Sequence, residues 1–265
     1  MKISKVRSIY FSPTGTSKKI VEAIAVGCQE GAVAEQSNLT YPTSFDTLEC
    51  KADELVIIGV PVYAGRVAPL AVERLQTIKG NGAAAVLVVL YGNREFEDAL
   101  VELQDLAKEI GFQPVAGSAF IGEHSFSTMN LPIADGRPDD DDLRMAKAFG
   151  AKIAGHLTGM TGDSFEPLAV PGNVPYKDGM GALPFSPSFN VGMCTGCGFC
   201  IETCPSGAIS LEGELQVDTE LCIFCCACVK SCPEGAVTVE APPLKEKMVW
   251  LHENCNKRKE PQLFF

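Results

Sequence analysis

No stretch of this chain approaches the roughly 18 uninterrupted apolar residues of a membrane-spanning helix. Histidine is scarce, with three residues, and tryptophan occurs once, as Trp250. There is no His-Glu-x-x-His pattern, no nucleophile elbow and no Ser/His/Asp order, so the common peptidase and serine-hydrolase chemistries have no residues to run on. A phosphate loop of the Gly-x-x-x-x-Gly-Lys-Ser/Thr kind is missing, which argues against nucleotide hydrolysis. No Gly-x-Gly-x-x-Gly follows a strand, which argues against a Rossmann-type nicotinamide site. Basic residues are in deficit: 22 Lys and Arg face 33 Asp and Glu, a formal charge of −11. That balance disfavours nucleic acid as a partner. Met1-Lys2-Ile3-Ser4-Lys5-Val6 leads into an apolar strand with no h-region or cleavage site, so the protein is expected to be cytoplasmic.

Cysteine, by contrast, is abundant, with 12 residues. Eight of them form a repeat. Cys194-x2-Cys197-x2-Cys200-x3-Cys204-Pro205 recurs 28 residues later as Cys222-x2-Cys225-x2-Cys228-x3-Cys232-Pro233. This is the bacterial ferredoxin spacing for [4Fe–4S] clusters, and two copies predict two clusters. Three thiolates three residues apart on a tight loop cap three irons of a cubane. The fourth cysteine lies on a following helical turn and points to the other cluster. The expected ligand sets are therefore crossed: Cys194, Cys197, Cys200 and Cys232 for one cluster, Cys222, Cys225, Cys228 and Cys204 for the other. The repeat continues past the ligands, with Gly207, Ala208 and Ile209 recurring as Gly235, Ala236 and Val237. Zinc ribbons need paired Cys-x-x-Cys motifs across a longer gap, and disulfide staples belong to small secreted domains. Cys28, Cys50 and Cys255 read as ordinary thiols. Cys226 sits between two ligands.

A two-cluster module needs a minority of this length, so a second domain is expected. Residues 1–158 alternate strands and helices. Val6–Phe11, Leu55–Val60, Ala83–Leu90 and Gln113–Ile121 read as strands, and the continuous apolar runs among them belong in a sheet buried on both faces. Helical stripes are expected over Ser17–Cys28, Pro69–Ile78, Phe96–Ile110 and from Asp139 through Leu157. The four aspartates 139–142 favour that last helix through its dipole. This pattern predicts a doubly wound parallel sheet. Residues 159–190, rich in Gly and Pro, read as a linker that either wraps over the site or merely spaces the domains. Residues 191–242 hold the two-cluster domain. The tail 243–265 has a short amphipathic piece around Met248–Leu251 and is expected to dock back onto the first domain.

In a doubly wound sheet the ligand sits beyond the carboxyl ends of the strands. Three loops fall there. Ser12-Pro13-Thr14-Gly15-Thr16-Ser17 offers hydroxyls and backbone N–H groups at a helix start, the chemistry a phosphate monoester needs. Pro61-Val62-Tyr63-Ala64-Gly65-Arg66 and Tyr91-Gly92-Asn93-Arg94 each place an aromatic ring and a glycine directly after a buried strand, as a stacked planar ligand requires. His124 follows the last of the expected parallel strands, close to the same edge, whereas His156 reads as a helix cap. Between Cys194 and Glu240 seven acidic residues face the single Lys230, a surface suited to a basic redox partner.

Residues 1–158 resemble a flavodoxin, because Ser12-Pro13-Thr14-Gly15-Thr16-Ser17 is similar to that family's T-x-T-G-N-T phosphate loop. Taken whole, with Gly122-Glu123-His124-Ser125-Phe126-Ser127, both cysteine runs and the tail Lys257–Phe265, the chain resembles the flavodoxin-plus-ferredoxin fusions called EFR1-type ferredoxins. The resemblance implies a flavodoxin-like α/β fold with a five-stranded parallel sheet, followed by a small α+β bacterial-type ferredoxin domain. It also implies FMN as a cofactor. Ser12, Thr14, Gly15, Thr16 and Ser17 would hold its phosphate. Pro61, Tyr63, Ala64, Gly65, Tyr91, Gly92, Asn93, Arg94 and His124 would surround its ring. The expected function is electron transfer between two [4Fe–4S] clusters and FMN; the alternative is a ferredoxin-dependent flavin reductase acting on a small molecule.

Overall fold

Apolar β-branched runs become the central strands, and their order follows from which of them can be buried on both faces. The computed structural model describes residues 3–29, 35–41, 48–159, 167–181 and 183–265. Parts of the expected first domain (1–2, 30–34, 42–47) and of the expected linker (160–166, 182) lie outside the described residues. The first half runs β1 (Lys5–Tyr10), α1 (Thr16–Cys28), β2 (Glu35–Asn38), β3 (Glu54–Tyr63), β4 (Arg66–Val67), α2 (Pro69–Leu75), β5 (Ala84–Tyr91), α3 (Ala99–Glu109), β6 (Gln113–Ile121) and α4 (Asp140–Gly159).

Five parallel strands lie in the order β2-β1-β3-β5-β6. This is the flavodoxin-like order, whose direction of winding reverses between β1 and β3. Alternate residues of each strand feed opposite layers. Ile9, Val56, Ile58, Leu87 and Val89 pack with Leu75 of α2 and Leu100 and Leu103 of α3. Tyr10, Leu55, Ile57, Val86 and Val88 pack with Ile20 and Ile24 of α1 and Phe149 and Ile153 of α4. Burying either set is worth about 25 cal/mol per Å² of apolar surface. Of the five parallel strands, the one not located in the sequence is β2, whose Glu-Gln-Ser-Asn is largely exposed at the sheet edge and carries no apolar alternation.

The second half comprises β7 (Ser188–Phe189), α5 (Phe199–Glu202), β8 (Ile209–Glu212), β9 (Glu214–Val217), α6 (Ala227–Ser231), β10 (Val237–Thr238), α7 (Pro242–Asn254) and β11 (Gln262–Phe264). β7, inside the stretch read as linker, pairs antiparallel with β10, and β8 and β9 form a hairpin about Gly213. The five expected parallel strands are present, and two antiparallel strands add to them. β11 pairs antiparallel with β6, and β4 pairs with β3, so the main sheet has seven strands. The added strand satisfies the backbone groups of an edge that would otherwise be open. Phe265, next to it, stacks edge-on against Phe149.

The aspartate run does more than complement a helix dipole. Asp139 Oδ1 accepts the N–H groups of Asp141 and Asp142 at 3.1 Å, a side-chain cap. Asp142 is buried and pairs with the buried Arg137, which also donates to the Lys259 carbonyl. Helices α1 and α4 approach closely at Gly27 and Gly150: a Cβ at Gly150 would collide with the Ile24 carbonyl oxygen, and one at Gly27 with that of Lys147. Gly155, on the same helix, has open space around it. Gly150→Ala is therefore expected to destabilise the protein by about 1–3 kcal/mol. Gly155→Ala should stabilise it by roughly 0.5–1 kcal/mol through helix propensity. Urea unfolding of the two variants checks the opposite signs.

Candidate functional site

The three loops expected at the carboxyl edge of the sheet meet around one cavity of about 460 Å³. Its floor is the turn from β1 into α1. Gly15, at φ +83°, lets the chain enter the helix through a left-handed residue that few other side chains tolerate. Ser12 ties the loop to its neighbours: its Oγ accepts the Lys18 N–H of α1 at 3.0 Å, and its N–H donates to Thr40 Oγ1, just after β2, at 2.8 Å. The Thr16 and Ser17 N–H groups, in the first helical turn, have no carbonyl partner among the described residues. Ser17 Oγ is buried with no partner, and Ser17 lines the cavity with Ser12, Thr14 and Thr16. No acidic residue stands in the first turn of α1. Hydroxyls, free N–H groups and a positive dipole end make this an anion cradle.

Pro61 and Tyr63 at the end of β3 with Ala64 just beyond it, and Tyr91 at the end of β5 with Gly92 and Arg94 just beyond it, form the sides. Tyr91 is buried with its ring 5.5 Å from Phe96, and burial pushes its phenol up to about 12. Tyr63 lies towards the second cysteine run. Burial, then the thiols of Cys225, Cys226 and Cys222, hold its phenol well above the usual range. At Gly92 a Cβ would collide with the His124 ring, so this glycine lets the histidine lie across the strand end. Arg94 pairs with Glu97 at 2.8 Å, and Lys177 adds to the same carboxylate at 2.6 Å.

Three expected residues do not line the cavity. Gly15 shapes the turn without facing it. Gly65, at φ +86°, lies where a Cβ would strike the Glu97 side chain, so it serves loop-to-loop packing. Asn93 is buried and donates from Nδ2 to the carbonyls of Cys255 (2.6 Å) and Lys257 (2.9 Å), so it fastens the tail. Other walls went unread in the sequence. Met180, Leu183 and Phe185 come from the Gly/Pro-rich connection, Leu244, Lys247 and Leu251 from α7, and Phe224 from between two cysteines. The spacing of Leu244, Lys247 and Leu251 at three and four residues is a helical signal that extends the short amphipathic piece towards the N-terminus of the tail.

The connection is held down along α3. Asp98 accepts the N–H groups of Asn173 and Lys177 at 2.8 Å, Gln104 donates to the Leu168 carbonyl at 2.7 Å, and Arg66 donates to the Lys177 carbonyl at 2.7 Å. Arg66, itself paired with Glu102 and stacked on Tyr176, is thereby occupied away from the cavity.

The eight repeated cysteines divide between two further cavities. Cys194, Cys197, Cys200 and Cys232 line one of about 430 Å³. Cys204, Cys222, Cys225 and Cys228, with Cys226, line a tighter one. Among the described residues no three His, Cys, Asp or Glu side chains converge to hold a single metal ion. The backbone repeats with the sequence. Left-handed residues recur 28 positions apart, Gly196 with Phe224 and Gly198 with Cys226. The Ala208 N–H donates to Cys204 Sγ at 3.3 Å, and the Ala236 N–H to Cys232 Sγ at 3.2 Å. Such N–H···S bonds stabilise a thiolate. Cys226 holds the helix-start position of α6 that Gly198 holds for α5. This is a backbone role, and its thiol is buried.

Residues 193–236 match the 4Fe-4S dicluster domain family. This segment is an iron–sulfur domain. A comparison with curated proteins returns no match. Among solved structures, the chain is similar to an archaeal flavodoxin (16% identity, 58% of this chain and 99% of that one, TM-score 0.36). It is also similar to the Streptococcus pneumoniae TIGR4 flavodoxin (14%, 58% and 99%, TM-score 0.41). A third is a WrbA-like flavodoxin from Agrobacterium tumefaciens (15%, 58% and 98%, TM-score 0.39). The strand order carries the fold assignment without them. No helix among the described residues is long and apolar enough to cross a membrane.

His124 offers a pH test of the cavity. Burial, then the charges of Arg94, Lys230 and Lys247, lowers its imidazole to about 4, and its Nδ1 accepts the Phe126 N–H at 3.1 Å. The unfolded chain takes up this proton near pH 6.5 and the folded one only near 4, so the contribution is present above 6.5 and lost as pH falls to about 4. At most about 3 kcal/mol is at stake. Denaturant unfolding between pH 4 and 7 should show this loss in the wild-type chain and a flatter profile in His124→Gln.

Proposed function

We propose that this chain is an electron-transfer protein of the EFR1-type ferredoxin kind, passing single electrons between two [4Fe–4S] clusters and an FMN. The observation that carries the reading is the shared wall. The cavity with the anion cradle is also lined by Phe224, which lies between the second run's cysteines. One cofactor site thus abuts the other.

The residues fit both groups. The crossed cysteine sets each surround their own cavity, as two cubanes linked by exchanged fourth ligands require. The unpartnered Ser17 Oγ, with Thr14, Thr16 and the first N–H groups of α1, is suited to a phosphate. Tyr63 and Tyr91 flank the position of a planar ring, with Ala64, Gly92, Arg94 and His124 around it. When bound, FMN supplies a centre that handles one or two electrons, while each cluster handles one. The chain's part is to hold these groups and exclude water. Met180, Leu183 and Phe185 of the connection add apolar side chains to the cavity wall. The proposed division of the chain is 1–158 for the FMN domain, 159–190 for the connection, 191–242 for the clusters and 243–265 for the tail. A cytoplasmic setting and a redox protein partner complete the proposal.

Anaerobic reductive titration tests it. Resolved flavin bands should bleach together with broad cluster absorbance, and chemical analysis should return about eight irons per chain. Thr14→Ala/Thr16→Ala should lower FMN affinity by at least about tenfold, the loss of one or two phosphate hydrogen bonds, while leaving iron content unchanged. Cluster absorbance with no flavin after added FMN would sink the flavin half of the proposal.

A further inference from the structure

The two cysteine sets differ in what surrounds them. The loop of Cys222, Cys225 and Cys228 faces inward. Phe224 within it is buried, lines the large cavity, and packs edge-on against Phe126 at 5.7 Å and Phe185 at 5.2 Å. Arg74, from α2, donates to the carbonyl of Pro205, the residue after Cys204. Cys204 is thus next to one contact with the sheet domain, and Cys225 next to another. The cavity of Cys194, Cys197, Cys200 and Cys232 is lined only by residues 189–237. Cys197 is exposed, and the collar around it is apolar and open to solvent: Val191 (82% exposed), Met193 (47%), Phe199 (49%) and Leu211 (60%).

The charges complete the picture. Glu202, Glu212, Glu214 and Glu234 are exposed on this half. Between Ser186 and Val229 there is no Lys or Arg at all, and Lys230 is turned to the sheet domain, where it pairs with Glu123 and donates to the Ser127 carbonyl at 2.7 Å. An apolar centre with an acidic rim and no basic group is complementary to a partner with an apolar centre and a basic rim.

We infer that the Cys204/Cys222/Cys225/Cys228 set is the inner one, adjoining the large cavity, and that the face around Cys197 is the docking surface for a basic one-electron redox protein. This rests on the proposed function and adds an order to it: large cavity, inner set, outer set, partner.

Two measurements on the intact holoprotein test the order and the surface. In the first, iron is withdrawn with a water-soluble chelator in the presence of iodoacetamide, and the alkylated cysteines are mapped by peptide mass spectrometry. Cys194, Cys197, Cys200 and Cys232 should be labelled first; equal labelling or the reverse order would overturn the assignment. In the second, binding of a basic c-type cytochrome is followed by calorimetry at low ionic strength. Glu214→Lys/Glu234→Lys should weaken it by about fivefold or more, and added salt should weaken the wild-type complex. Asp141→Lys, on α4, should leave binding unchanged. Equal affinity for wild type and the double variant, or equal weakening by Asp141→Lys, would overturn the docking surface. A purified chain lacking iron or flavin would count against the proposed function instead, since both are assayed before either test.

Discussion

The edge-on packing of Phe224 between Phe126 and Phe185 is the contact through which the two halves of the chain share a wall. Phe224 sits at φ +55°, a conformation unfavourable for a bulky residue, and occupies the place that Gly196 takes in the first run. Burial of the ring among Ala241, Leu244, Met180 and Leu183 offsets that strain. Such outliers persist where the surroundings over-determine them. The same ring lines the tight cysteine cavity and the large cavity at the strand ends. Together with the Arg74 bond to the Pro205 carbonyl and the Lys230–Glu123 pair, it joins the iron–sulfur domain to the sheet domain.

Around this contact the polar groups lock the frame. The tail is tied by Asn93 to Cys255 and Lys257, by Arg137 to Lys259, and by His252 to the Pro132 carbonyl at 2.7 Å, before β11 joins the sheet. Asp142 and Arg137, both buried, satisfy each other's charge, and truncating either would leave the other unpaired. The result is that α7 presents Leu244, Lys247 and Leu251 to the large cavity as a fixed wall. The connection is fixed as well, by Asp98 and Gln104, so two segments far from the strand ends in sequence become parts of the site.

Much of the sheet was legible because its strands are buried on both faces: runs such as Leu55–Val60 and Ala84–Leu90 cannot be placed elsewhere without exposing apolar surface. β2 escaped because Glu35–Asn38 lies at an edge with polar residues on both faces. Asn93 was read as facing the cavity because it follows a strand, yet a side chain two residues beyond β5 has two directions open to it. Only the carbonyls of Cys255 and Lys257, 162 and 164 positions away, decide which one it takes. Likewise the run of aspartates reads as a dipole effect until Arg137 is found against Asp142.

What the sequence determined by itself is the local chemistry: the thiolate spacing, the hydroxyl-rich turn at the head of α1, and the alternation that makes a parallel sheet. These depend on residues within a few positions of one another, where covalent geometry and short-range periodicity leave little freedom. Only the tertiary structure decided which walls close the large cavity, which cysteine set faces inward and which edge the tail covers. Those outcomes rest on contacts between residues separated by tens to hundreds of positions, whose pairing is selected by burial and shape once the chain has collapsed and is written in no local pattern.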